Sequence, residues 1–200
     1  ASLFRLDGDV AMVTGAGAGI GKTAALMLAC AGARVVAVDL DEASAGETAR
    51  AIAEAGGTAI AFSADMGSDA GPAGAVQAAT DKFGRLDILV NNAGIGGSRP
   101  VGETTDEAID RMLSVNLRSV LRLTREALTL LPQPGGRIVN TGSVFGLTGF
   151  PGSAVYGATK AAVMHLTRQM AADYAPLGIL VNAVAPGVID TGMTGRRIRE

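Results

Sequence analysis

Six short apolar runs punctuate the sequence, and they constrain its fold more than anything else. They are Val10–Thr14, Arg34–Val38, Thr58–Phe62, Leu86–Val90, Gly136–Thr141 and Ile179–Ala185. Several are apolar nearly throughout rather than alternating, as strands buried on both faces should be. Longer helical stretches lie between them, at about 19–31, 42–55, 69–83, 104–131 and 153–176. This β-α-β-α rhythm leads to an α/β architecture: a doubly wound parallel sheet with helices on both faces and right-handed crossovers. No repeat, low-complexity segment or linker divides the chain, so one three-layer α/β/α domain is expected over residues 1–200.

Local signals refine the elements. Ile20, Thr23, Ala24, Met27, Leu28 and Ala31 form an i, i+3, i+4, i+7 stripe on the first helix. Cys30, the sole cysteine, falls in an apolar part of that helix and is expected to be a small buried hydrophobe; it excludes an intramolecular disulfide and a cysteine zinc cluster. Asp69 and Thr104 or Thr105 are candidate helix caps, with Glu107 spaced to close a capping box from Thr104. Pro132 and Pro134 stop the long fourth helix.

The balance of 17 basic and 19 acidic residues leaves no surplus to neutralise a phosphate backbone, which argues against a nucleic-acid partner. No apolar run approaches the ~20 residues that span a bilayer. Arg5 and Asp7 precede a strand at once, so no signal peptide is expected, and the single cysteine fits a reducing cytoplasm.

The turn Val13-Thr-Gly15-Ala-Gly-Ala-Gly19-Ile20-Gly21 joins the first strand to the first helix. Glycines there let a phosphate approach backbone N–H groups at the positive end of a helix. The spacing is Gly-x-x-x-Gly-x-Gly, since Ile20 and Lys22 occupy the third-glycine positions of Gly-x-Gly-x-x-Gly. It is not a P-loop, because Ala16 stands five residues before Gly21, where that motif requires its first glycine. The second strand ends at Asp39, 24 residues beyond Gly15. An acid there accepts hydrogen bonds from ribose hydroxyls and repels a 2′-phosphate. No arginine occurs in the glycine turn or directly after Asp39, so NAD is expected over NADP. Together these features mark a Rossmann-type fold.

Tyr156 and Lys160 are one helical turn apart and project from the same face. A free phenol has a pKa of about 10, and moving a group by three units takes roughly 4 kcal/mol of differential stabilisation. A fixed cation nearby favours the phenolate, so a lowered phenol is expected. Ser143, thirteen residues upstream at a strand end, is placed to hold a substrate oxygen. His165 is the only histidine; it reads as a packing or surface residue, and no metal site is expected.

With these residues in place, the sequence resembles the short-chain dehydrogenase/reductase family in its compact branch, from about Leu6 to Thr191. The match consists of Thr14-Gly-x-x-x-Gly-x-Gly21, Asp65, Asn91-Asn-Ala-Gly94, Asn116, Ser143, Tyr156-x-x-x-Lys160, and Pro186-Gly187 with Thr191. The resemblance implies a catalytic set of Asn116, Ser143, Tyr156 and Lys160. Tyr156 would be the general acid/base, Lys160 would lower its pKa and bind the nicotinamide ribose, and Ser143 would hold the substrate oxygen. Asn116 would hold a water linking the lysine to solvent. For NAD it implies contacts from Gly15, Gly19, Ile20, Gly21, Asp39, Asp65 (at the adenine amino group), Asn92, Ala93 and Gly94, with Asn91 bracing the sheet. Tyr156, Lys160, Pro186, Gly187, Val188 and Thr191 would serve the nicotinamide end. The implied activity is interconversion of a secondary alcohol and a ketone, in a homo-oligomer, dimer or tetramer.

Family members usually continue past the Pro-Gly-x-x-x-Thr segment through a substrate-covering segment, a helix and a seventh strand, whereas this sequence ends at Glu200. The expectation is that those parts are missing after about 191–200. An NAD-binding module without turnover is the alternative reading. A sugar-nucleotide epimerase or dehydratase fits less well, because those relatives carry a larger C-terminal substrate domain.

Overall fold

The structure is a computed structural model and describes residues 4–97 and 99–192. Six strands form one parallel sheet: β1 (Val10–Thr14), β2 (Arg34–Asp39), β3 (Ala59–Ser63), β4 (Ile88–Asn91), β5 (Arg137–Thr141) and β6 (Leu180–Val184). Their order is β3-β2-β1-β4-β5-β6, so the winding direction reverses between β1 and β4. Open α/β sheets bind ligands at such a reversal, beyond the carboxyl ends of the strands. Helices α1 (Gly19–Cys30), α2 (Glu42–Glu54), α3 (Gly71–Phe83), α4 (Asp106–Leu113), α5 (Ser119–Ala127) and α6 (Ala154–Tyr174) complete the three layers.

The near-continuous apolar runs divide by alternation into two cores. Val10, Met12, Val36, Val38, Leu89, Ile138 and Val181 face α3, α5 and α6, where Ala75, Leu123 and Met170 meet them. Ala11, Val13, Val35, Ala37, Ile88 and Val90 face α1 and α2 through Ala25 and Ile52. Each fully buried Val, Leu or Ile contributes about 1.5–3 kcal/mol, so both layers are held by burial rather than by helix propensity. A polar chain crosses the first core. Asn91 Nδ2 donates to Asn140 Oδ1 at 2.8 Å, and Asn140 Nδ2 donates to Thr167 Oγ1 at 3.0 Å. This ties β4 and β5 to α6, the bracing expected of Asn91.

Four expectations are corrected. On α1 the fully buried residues are Gly21 and Ala25, and of the stripe read from the sequence Ala24 and Leu28 pack partly against the core while Met27 is 67% exposed; Cys30 is exposed. Small residues are what let α1 lie close to the sheet, so they set its rotation and turn the larger Met27 outward. The helix expected over 104–131 is interrupted at Ser114–Arg118 by a π turn, in which the Ser119 N–H donates to the Ser114 carbonyl. Of the two candidate threonines Thr105 is the one that caps α4, its hydroxyl accepting from the Ala108 N–H at 3.3 Å, so only the capping box from Thr104 does not form. Asp69 caps nothing: α3 begins after Ala70, and the Asp69 carboxylate pairs with Arg122 at 2.6 Å. No helix among the described residues is long and apolar enough to cross a membrane.

Candidate active site

The carboxyl ends of β1, β2, β4, β5 and β6 converge on a cleft of about 480 Å³. At one end is the glycine turn. Gly15 adopts φ +65°, a backbone conformation that side chains with a Cβ rarely take, so glycine is required there. Asn92 fixes this turn from β4: its Nδ2 donates to the Thr14 carbonyl at 2.9 Å and to that of Gly15 at 3.3 Å. A Cβ at Gly21 would overlap the Gly15 carbonyl oxygen and come within 2.5 Å of Asn92 Nδ2. Gly21 is therefore a packing requirement between α1 and the turn, and it does not line the cleft.

Asp39 lines the cleft at the end of β2 and also stitches the turn together. Its Oδ2 accepts from the Gly17 N–H at 2.7 Å, and its Oδ1 accepts from the Asp41 N–H at 3.1 Å. Asp65 reaches the same wall with both carboxylate oxygens engaged. Arg111 donates to Oδ2 at 2.9 Å and to Oδ1 at 3.2 Å, while the Gly67 N–H donates to Oδ1 at 2.8 Å. The Arg111 hydrogen bonds hold the Asp65 carboxyl below the usual carboxylate range. Arg111 itself lines the cleft, and nothing in its sequence position marks it; it acts on a carboxylate 46 residues away.

At the other end Ser143, Tyr156 and Lys160 come together, with Ala93, Gly94, Pro186, Gly187 and Thr191 on the walls. Ser143 is buried at the start of a 3-10 turn, its hydroxyl accepting from the Phe145 N–H at 3.2 Å. Lys160, 4% exposed, donates from Nζ to the Thr141 carbonyl at 2.8 Å and lies 5.8 Å from the centroid of the Tyr156 ring. Burial pulls this ammonium from the ordinary 10.5 down to about 8. Burial pushes the Tyr156 phenol up, and the Ser143 hydroxyl works in the opposite sense. The direction for Tyr156 is the reverse of the sequence expectation. Removing the phenol from water disfavours the phenolate, while Lys160 is turned onto the Thr141 carbonyl.

Asn116 and Val188 do not line the cleft, whereas Ile20 and Gly19 do. Asn116 sits in the π turn at 1% exposure, and the extra residue of that turn presents it inward. Its Oδ1 accepts from the Ile95 N–H at 2.8 Å, and its Nδ2 donates to the Ile95 carbonyl at 2.9 Å. A Cβ at Gly94 would stand 3.3 Å from Asn116 Oδ1 and 3.4 Å from Lys160 Nζ, so that glycine lies between the two side chains. Val188 is 56% exposed, and its neighbour Ile189 takes the wall. His165 is exposed, with Gln169 Nε2 at 3.4 Å. Among the described residues no cluster of metal-ligating side chains occurs.

A parallel sheet, a glycine turn opening a helix and an acid at the end of β2 define a dinucleotide-binding protein. The chain belongs to the short chain dehydrogenase family, whose sequence model matches residues 9–200. It is 42% identical over 191 residues to 2-(S)-hydroxypropyl-CoM dehydrogenase 3 of Xanthobacter autotrophicus, covering 94% of this chain and 75% of that one. The crystal structure of a dehydrogenase/reductase from Sinorhizobium meliloti aligns with a TM-score of 0.92 at 40% identity, covering 96% of this chain and 77% of that one. A short chain dehydrogenase from Burkholderia cenocepacia, solved in complex with NADP, aligns with a TM-score of 0.91 at 40% identity, covering 94% and 78%. Family membership makes the chain an alcohol/carbonyl oxidoreductase that works with a nicotinamide dinucleotide.

Proposed function

We propose that the protein is an NAD-dependent oxidoreductase that interconverts a secondary alcohol and a ketone, with Tyr156 as its general acid/base. The observation that carries this reading is the convergence of Ser143, Tyr156 and Lys160 on a cleft whose far wall holds the glycine turn and Asp39. The dinucleotide, when bound, supplies the hydride. The chain has to bind it, orient the carbonyl and handle one proton.

The glycine turn, with Gly15 and Gly19, would take the pyrophosphate at the start of α1, and Asp39 the adenosine ribose. Asp65, with Ile20 nearby, would meet the adenine end. Ala93, Gly94, Pro186, Gly187 and Thr191 would line the nicotinamide end, with Lys160 at its ribose. Ser143 would hydrogen-bond the substrate oxygen, and Tyr156 would give that oxygen its proton in reduction or take it back in oxidation. A raised phenol suits the acid role, since at neutral pH it carries the proton to be given. Lys160, as the nearby cation, would favour the phenolate left behind. The Xanthobacter relative is a 2-(S)-hydroxypropyl-CoM dehydrogenase, in keeping with a secondary-alcohol substrate.

NAD rather than NADP is favoured by the Asp39 carboxylate on the cleft wall, which a 2′-phosphate would have to approach. The experiment is calorimetric titration of the protein with NAD and with NADP, followed by NADH oxidation against a ketone panel. Preferential NAD binding with turnover supports the reading. Preferential NADP binding contradicts the cofactor assignment, and NAD binding with no turnover on any ketone favours the non-catalytic module.

A further inference from the structure

A second cavity of about 270 Å³ shares Ile95 and Arg111 with the main cleft. Its walls are apolar through Ile95, Ala108, Met112 and Val155, and Val155 immediately precedes Tyr156. Two guanidiniums reach it. Arg111 is already held by Asp65 through two hydrogen bonds. Arg99 has no ion-pair partner among the described residues and is exposed. Thr104 stands on the same wall, its hydroxyl donating to the Pro100 carbonyl at 2.9 Å and keeping its lone pairs available. Arg99 is also anchored beside the tyrosine helix by a backbone bridge to Ser153 at the start of α6. Across that bridge Ser153 holds a buried hydroxyl that makes no hydrogen bond among the described residues.

We infer that this cavity is a subsite for the substrate's tail, and that Arg99 selects substrates whose tail ends in a carboxylate. The inference rests on the secondary-alcohol reading given above and names the class of substrate for that site. An alcohol or ketone held at Ser143 and Tyr156 would extend past Ile95 and Val155 into an apolar channel with one uncompensated cation at its rim. Apolar walls take a hydrocarbon segment, and the guanidinium fork takes a terminal carboxylate, which it matches with two parallel N–H donors. A single fork suits one carboxylate, whereas a phosphate dianion calls for more than one cation. Because Arg99 is exposed, the selection is salt-sensitive.

The test compares methyl-ketone acids of increasing length, beginning with levulinate, each against its methyl ester, with the wild-type protein and Arg99→Gln. For the best-fitting length the acid is expected to exceed its ester by about fivefold in kcat/KM, the scale of an accessible ion pair. Arg99→Gln should erase that ratio and leave the ester value within about twofold, since the apolar walls are untouched. Equal ratios in the two proteins overturn the inference. The same ligands are titrated by calorimetry into both proteins, so the comparison stands without turnover: weaker acid binding in Arg99→Gln supports the subsite, and equal binding overturns it. Failure of the dehydrogenase reading shows separately, as ketone reduction by neither protein.

Discussion

Replacing Asn116 tests whether the π turn exists to hold the segment after β4. The side chain pairs with both the N–H and the C=O of Ile95, at 2.8 and 2.9 Å, and donates to Thr159 Oγ1 at 3.3 Å. Asn116→Ala leaves the two Ile95 backbone groups without their partner, each costing about 1–3 kcal/mol. Thr159 loses less, because its hydroxyl already donates to the Tyr156 carbonyl at 2.8 Å. The expected total is about 3 kcal/mol, which at a urea slope of roughly 2 kcal/mol/M lowers the unfolding midpoint by about 1.5 M. Asn116→Asp is the sharper probe. It keeps the acceptor for the Ile95 N–H but turns an ionised oxygen toward the Ile95 carbonyl in a buried site. Burial and that carbonyl raise the folded-state pKa of the new acid above its unfolded value. The protonated form restores a donor, so the variant should be more stable near about pH 5 than near about pH 7, relative to wild type. Urea unfolding followed by far-ultraviolet circular dichroism at both pH values measures this. A midpoint for Asn116→Ala within about 0.3 M of wild type would show that Asn116 does not hold the Ile95 segment, as would a pH-independent deficit in Asn116→Asp.

Other consequences are equally measurable. Lys160 is depressed from 10.5 to about 8 by burial, so its charged form weighs against folding at neutral pH. Between about pH 8 and 10.5 the unfolded chain binds more protons, and the Lys160 contribution to stability should rise by on the order of 3 kcal/mol. Tyr156, raised by burial, opposes this above its unfolded value, and Lys160→Met should remove the rise in a pH series of unfolding curves. Gly21→Ala places a Cβ on the Gly15 carbonyl, which no rotamer change relieves; it should cost about 1–3 kcal/mol or more and weaken dinucleotide binding, read by thermal unfolding and calorimetry. Asp39→Ala should narrow the affinity ratio between NAD and NADP by about tenfold, a loss of roughly 1.4 kcal/mol of discrimination, and an unchanged ratio would contradict the ribose assignment. It also frees the Gly17 N–H, so some loss of affinity for both cofactors is expected.

The sheet was legible because its strands are buried on both faces. Runs such as Val35–Val38 have no polar side, and only a doubly covered parallel strand accommodates them. The glycine turn was legible because its residues act through the backbone at fixed spacing. What escaped the sequence depends on geometry that no local pattern encodes. The π turn adds one residue to a helix without breaking the apolar pattern around it, so Asn116 reads as mid-helix although it is fully buried. The rotation of α1 is set by contact between Ala25 and the sheet rather than by the number of large apolar residues on a stripe. Arg111 is joined to Asp65 across 46 residues, and the second bond of Asp39, to Gly17, depends on how the turn folds over β2. The direction of the Tyr156 shift depends on burial and on where the Lys160 ammonium is turned, neither of which the four-residue spacing discloses.

Tyr156 is proposed to carry the proton of the reaction. The most direct test of that role pairs two measurements on Tyr156→Phe, namely affinity for NADH by calorimetry and NADH oxidation with any ketone the wild type reduces. Affinity within about threefold of wild type and turnover lowered by at least about 100-fold are expected, because the hydroxyl is lost while the ring still fills its place. Turnover retained within about tenfold, with affinity unchanged, would show that another group moves the proton.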